Sequence, residues 1–196
     1  RTGNLRRGCV IFTQKNTSEK VEFINTVQNY FSEIFNEQFT AREKTANSYL
    51  NGRLISGTAT DFICYKMAPA VALMNISQNI IAWTLMLSET SVLNYLAGLI
   101  DGDGSFLNNR LHIYVSKEHI LQSIIISCLK LGIFPQVTVN RNIHHVQILE
   151  RINDILKYTK RVKGNVYPKV LGTKLFNAKQ IFSDIIEEIN WNGKIK

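Results

Sequence analysis

Asp101 and Asp103 stand one residue apart, each followed by a glycine, at the end of Leu93-Asn94-Tyr95-Leu96-Ala97-Gly98-Leu99-Ile100-Asp101-Gly102-Asp103-Gly104-Ser105-Phe106. Carboxylates at the C-terminal end of a helix face the negative pole of its dipole and need a compensating cation. Mg²⁺ takes oxygen ligands and is usually held by one or two carboxylates together with water and phosphate. The chemistry expected here is therefore metal-dependent cleavage of a phosphodiester. Asp-Gly pairs also form ordinary tight turns. The small and apolar residues that precede them favour the metal reading.

The positioning element is a helix. Leu93, Leu96, Leu99 and Ile100 recur at helical spacing and form one apolar stripe. Ala97 and Gly98 are small, which lets a second helix backbone approach closely. Gly102 and Gly104 are expected to take backbone angles closed to other residues.

Leu96-Ala97-Gly98-Leu99-Ile100-Asp101-Gly102-Asp103-Gly104 closely resembles the signature of the LAGLIDADG homing endonucleases, departing only at Gly102, where the signature has Ala. The resemblance implies an α+β homing endonuclease fold. Two pseudo-symmetric αββαββα-type halves would carry antiparallel sheets that form a DNA-binding saddle. Two motif helices would pack together, and the last acid of each would bind divalent metal over a scissile phosphate. Carried over, that acid is Asp103, with Gly102 beside it as the metal site, and the ion is Mg²⁺ or another divalent cation such as Mn²⁺. Asp101 would support the helix end and turn. A catalytic-pocket lysine is expected in the loop after the last helix, with Lys163 the first choice and Lys160 the second. The implied activity is a double-strand break in a long DNA site. Relatives are intron-encoded or lie within inteins, although no splicing-block sequence is visible here.

Composition agrees with a polyanionic partner: 23 Lys and Arg against 15 Asp and Glu give +8 over 196 residues. Cys9, Cys64 and Cys128 are scattered without CxxC spacing, which argues against a zinc site or a disulfide framework. They are expected to be reduced and buried, in an intracellular protein whose compartment stays open. No membrane association is expected, because no run approaches the ~20 apolar residues of a span. The basic residues near Arg1 are not followed by the apolar core of a signal peptide.

The pattern repeats. After the motif, Leu111 to Ser116 alternates as a strand, Glu118 to Leu131 is helical and closes at Gly132, and Gln136 to Arg141 is a second strand. A turn at Asn142 leads to a third strand, His145 to Leu149, and then to a helix from Asn153 to Lys160. The first half runs in the same order. Cys9 to Gln14 is a strand, and Ser18 caps a helix from Glu19 to Phe35. Phe39 to Lys44 and the region Ser56 to Lys66 are strands, and Pro69 opens a helix to Ile76. The division expected is a degenerate half at 1–90 and a motif-bearing half at 91–196, joined by a helical linker from Met74 to Thr90.

In the first half the motif would fall near Thr2, where no carboxylate or preceding helix stands. The second motif helix and acid would then come from upstream sequence, a separate chain or a homodimer mate, or activity has been lost. Leu73 to Glu89, the first-half stretch matching the lysine loop, contains no lysine.

Strand parity turns Leu111, Ile113 and Val115 inward, and His112, Tyr114, Thr138, Asn140, His145 and Gln147 outward. With Arg110 and Arg141 near strand ends, this face suits contact with base edges in a DNA groove. Arg42 and Lys44 lie on the matching first-half strand, beside Thr40, and Arg53 near a hairpin tip. The spacing of His112, His144 and His145 fits no standard zinc site. Val170 to Ile189 is expected to be a closing amphipathic helix. Two other functions stay open for this architecture: an RNA maturase that binds intron RNA, and a DNA-binding relative that does not cut.

Overall fold

The computed structural model describes residues 8–50 and 53–166, with backbone alone at 46, 48–50 and 55. The expected closing helix at Val170 to Ile189 lies outside the described residues. The chain divides into two compact units, 1–78 and 79–196.

The first unit contains β1 (Val10–Gln14), α1 (Val21–Phe35), β2 (Thr40–Leu50), β3 (Arg53–Cys64) and α2 (Met67–Gln78). Its sheet is antiparallel in the order β1-β3-β2. The core is aromatic. Phe12 stacks on Phe62 at 4.6 Å and meets the edge of Phe39 at 5.0 Å, while Phe31 of α1 lies 4.1 Å from Phe39. Rings packed this way contribute beyond the area they bury. Ser18 does not cap α1: Ser18–Lys20 forms a 3-10 turn ahead of the helix, and no side chain caps either element. Asn36, left-handed at φ 52°, closes α1, a role Asn shares with Gly.

The second unit runs α3 (Ile80–Met86), α4 (Glu89–Asp103), β4 (Ser105–Leu107), β5 (Arg110–Val115), α5 (Glu118–Lys130), β6 (Gln136–Asn140), β7 (Ile143–Ile148) and α6 (Ile152–Leu156). From α4 onward this is a complete αββαββα series, with its sheet in the order β4-β5-β7-β6. Leu96 and Ile100 of α4 pack with Leu111 and Ile113 of β5, Ile124 and Cys128 of α5, Val146 and Ile148 of β7, and Ile155 of α6. All are removed from water. A buried Leu or Ile contributes roughly 1.5–3 kcal/mol relative to exposure. Burial pushes the Cys128 thiol up to about 12, so it is a packing residue and not a nucleophile. Cys64 is buried as well, but Cys9 is exposed, contrary to expectation.

The three strands of the first sheet match three of the four in the second. Their shared order, β1-β3-β2 against β5-β7-β6, makes β1 the counterpart of β5, β2 of β6 and β3 of β7. Counterparts of α4 and β4 are not found among the described residues of the first unit. The segment between the halves is not one helix. α2 stops at Gln78, α3 covers Ile80–Met86, and Ser88 opens α4 by accepting the Ser91 N–H at 3.2 Å. Lys130 caps the end of α3, donating to the carbonyls of Thr84, Leu85 and Leu87 at 2.6–3.1 Å. The β4–β5 hairpin turns through Asn108 and Asn109, both left-handed at φ 53° and 59°. That is the backbone a two-residue hairpin requires, and Asn tolerates it best after Gly. Among the described residues, no helix is long and apolar enough to cross a membrane.

Candidate nucleic-acid and metal site

Two residues of α4 that share a charge have opposite surroundings. Asp101 is 3% exposed. Its carboxylate accepts three backbone N–H groups from one loop: Lys160 at 2.5 Å, Arg161 at 2.9 Å and Val162 at 2.9 Å. The Arg161 guanidinium returns to the same helix end, donating to the carbonyls of Asp101, Ile100 (2.8 Å) and Gly104 (2.7 Å). Thr159 stiffens the loop by donating its hydroxyl to the Val162 carbonyl at 2.6 Å. These bonds explain why α6 ends at Leu156 and not near Lys160. Continuing the helix would consume the N–H groups that Asp101 requires.

Asp103, the last residue of α4, is exposed, and no hydrogen bond or ion pair engages its carboxylate among the described residues. Its neighbours on the open face are Asn94, Gly98 and Gly102, spaced i, i+4, i+8. A Cβ added at Gly98 or Gly102 would meet nothing within 4 Å. Ala97, read from the sequence as part of this small face, instead lies in the core. The expected unusual glycine angles are not found either. Gly104 has φ −95°, and what it requires is space, since a Cβ there would lie 2.7 Å from the His112 carbonyl oxygen.

Lys160 and Lys163 lie in the loop held by Asp101, which brings both sequence candidates to the motif helix. Gly164 anchors the far side, with so little room that a Cβ would fall 2.2 Å from the Phe106 ring. Among the described residues, no three or more His, Cys, Asp or Glu side chains gather as a metal cage. Mg²⁺ requires no such cage, because one or two carboxylates with phosphate and water suffice. Asp103 and Gly102 fit such an ion as one side of a site that a phosphate and another acid would complete.

The outward face of the second sheet is already bonded within itself. Arg110 donates to Gln147 at 2.8 Å. His112 and His145 meet through Nδ1 and Nε2 at 2.8 Å, His112 Nε2 lies 3.2 Å from the Leu107 carbonyl, and Thr138 Oγ1 lies 3.5 Å from His145 Nδ1. A carbonyl can only accept, so His112 carries its proton on Nε2, and its Nδ1 receives the Nε2–H of His145. His145 Nδ1 is left as the acceptor facing Thr138. Tyr114 lies parallel to His145 at 4.5 Å. Partial burial, and then the repulsion that a protonated His112 would exert, hold the His145 pKa below its ordinary value. Asn140 and Arg141 are exposed at the β6–β7 turn, where Arg141 is left-handed at φ 55°. His144 points to the other face, 3.4 Å from Glu118 of α5, so the three histidines do not converge.

In the first unit Arg42 and Lys44 are exposed on β2. The sequence reading missed their acidic neighbour. Asp61 pairs across the sheet with Arg42, lies 3.9 Å from the Lys44 ammonium, and accepts the Thr13 hydroxyl at 2.6 Å. Arg53 is exposed at the start of β3, opposite Leu50 in the pair at the turn end of the β2–β3 hairpin. Arg161 was also missed. The clue available was the pair of acids at a helix end whose last turn contains no basic residue.

Comparison with known proteins points one way. The LAGLIDADG-like domain family matches residues 90–163, which span α4 through the clasped loop. A variant of I-DmoI in complex with its target DNA in the presence of Mg is 14% identical, with a TM-score of 0.53 over 78% of this chain and 79% of that one. I-DmoI in complex with DNA and Mn gives 14%, 0.52, 78% and 80%. At these identities the likeness shows the fold, an α+β homing endonuclease fold with antiparallel sheets. A probable phosphoenolpyruvate synthase of Methanocaldococcus jannaschii is 26% identical over 199 residues, covering 94% of this chain. This chain spans only 15% of that protein's length. The motif on α4 falls within the stretch, 90–163, that matches the LAGLIDADG-like domain family, and the fold built around it is similar to that of I-DmoI.

Proposed function

We propose that this chain is a site-specific DNA endonuclease that makes double-strand breaks in a long recognition site. The open Asp103 carboxylate beside a loop bearing Lys160 and Lys163 carries the reading. The ion would be Mg²⁺ or Mn²⁺, held by Asp103 and Gly102, and when bound it supplies polarisation of a phosphate and activation of water. Asp103 places negative charge at an exposed helix end, where a phosphate-bound cation can reach it. Lys163, or Lys160, offsets charge developing on the phosphate. Arg110, His112, Tyr114, Asn140, Arg141, His145 and Gln147 face the DNA from one sheet, and Arg42, Lys44 and Arg53 from the other. Basic side chains there supply affinity that falls with salt.

A second motif helix and acid complete the site, supplied by upstream sequence, a separate chain or a second copy. The uncovered stripe at Gly98 and Gly102 supports this, since only small residues let two helix backbones approach closely. The relative that this chain spans for 15% of its length bears the name of a metabolic enzyme. That supports an intein-like segment within a longer intracellular polypeptide over an independent intron-encoded protein. The test is plasmid cleavage with Mg²⁺, comparing the wild type with Asp103→Asn. Cleavage that disappears in the variant is expected. Equal cleavage by both would overturn the assignment of Asp103. Tight binding of structured RNA with no DNA cleavage would replace the reading with a maturase, and DNA binding without cleavage with an inactive relative.

A further inference from the structure

α4 ends under electrostatic load. Its last turn holds Asp101 and Asp103, it has no basic residue of its own, and beyond the Ile100 carbonyl, which accepts the Gly104 N–H at 3.0 Å, the last carbonyls of a helix have no partner within it. The cation that answers this comes from Arg161, sixty residues further along the chain. We infer that Arg161 is a positioning residue for the proposed cleavage, fixing the lysine loop to the backbone that aims Asp103. The inference rests on the function proposed above.

Arg161 holds the helix end from both directions. Its backbone N–H donates to the Asp101 carboxylate at 2.9 Å, and its side chain donates to the carbonyls of Ile100, Asp101 and Gly104. Those carbonyls bracket Asp103 on both sides in sequence, so the grip sets the backbone from which the Asp103 side chain projects. Lys163 follows two residues after Arg161, and Lys160 precedes it directly. One guanidinium therefore ties the acid and both candidate cations into a single frame. Its planar fork of donors makes three divergent bonds at once, which the point-charge ammonium of lysine cannot reproduce. A residue that only capped the helix would have no reason to share its bonds with the segment that carries Lys160 and Lys163.

The experiment compares Arg161→Met, Arg161→Lys and Asp103→Asn in the full chain by three measurements. These are hydrogen exchange of the 160–162 amides, Mn²⁺ binding by titration, and single-turnover cleavage alongside DNA affinity measured in Ca²⁺. Arg161→Met is expected to speed exchange of those amides while leaving exchange in β5 and β7 slow. It should lower the cleavage rate about 10- to 100-fold and keep DNA affinity within about threefold. Arg161→Lys should recover part of the rate. A wild-type cleavage rate in Arg161→Met overturns the inference, as does a loss of rate and DNA affinity in step with the unfolded fraction. If the wild-type chain does not cleave, Mn²⁺ binding decides, and an unchanged affinity in Arg161→Met overturns it. Asp103→Asn separates the two readings: a fully active variant refutes the proposed acid whatever Arg161 does.

Discussion

The two faces of α4 follow opposite rules. On the inner face Val92, Leu96 and Ile100 are wholly buried, and even the charge there is fully bonded, with Asp101 held by three N–H groups. On the outer face Asn94, Gly98, Gly102 and Asp103 are all exposed, and both glycines look onto open space. The inner face serves the unit's stability, since each residue there has packing or hydrogen bonds to lose. The outer face contributes little to it. A charged residue at the unfavourable pole of a helix and a glycine in mid-helix both cost stability. Residues kept at such a cost are where function is to be sought.

The largest effect that can break this contrast is at Asp101. Asp101→Ala leaves three N–H groups and the Arg161 loop without their acceptor. It should cost about 3–5 kcal/mol, as loss of one partner from a buried charged network does. Asp103→Ala, two residues on, should leave stability within about 0.5 kcal/mol of wild type or raise it slightly, because a charge leaves the helix C-terminus. Urea denaturation of both variants measures the difference. Equal destabilisation by the two would mean that Asp103 has a structural partner and that the faces are not distinct.

The inner face was largely legible in the sequence, because burial imposes periodicity. Leu93, Leu96 and Ile100 mark the helix, and Leu111, Ile113, Val146 and Ile148 mark strands by alternation. β4 escaped because three residues are too few to alternate. α6 was read too long because its end is set by Asp101, about sixty positions away, and no local propensity reports that contact. The outward sheet residues were correctly faced, yet their bonding to one another was invisible. Only the register that sets Tyr114 opposite His145 brings His112 within 2.8 Å of it. By residue type Asp101 and Asp103 make equal claims at the helix end, and only the resemblance of the motif singles out Asp103.

A smaller effect lies at the opposite end of α4. Arg151 donates to Glu89 at 2.7 Å and to Asp154 at 3.0 Å, joining the first turn of α4 to α6. The hydrogen bond from Arg151, ahead of that from Lys157, holds the Asp154 carboxyl below its ordinary pKa. A depressed folded pKa gives stability that is present above the unfolded value of about 3.9 and lost as pH falls through the folded one. Arg151→Met should therefore cost about 1 kcal/mol at neutral pH, since the groups are partly solvated. It should also flatten the loss of stability below about pH 4, which denaturation from pH 7 to 2.5 would register. A wild-type acid limb in the variant would show that the inner face is not tied down at this end.

The smallest effect discriminates best. Gly98 lies within a helix, and nothing comes within 4 Å of a Cβ placed there. On the isolated chain Gly98→Ala should raise stability by about 0.5 kcal/mol, because alanine loses less backbone freedom on folding. That gain holds only while the face is empty. Where a second motif helix packs against it, the added methyl separates two backbones that close approach had joined, and the sign reverses. Measuring the variant at low and high protein concentration, and in the presence of DNA, therefore tests both the openness of the face and its use. Stabilisation that survives every condition would mean that no helix docks at Gly98. The mid-helix glycine would then be a cost without a function.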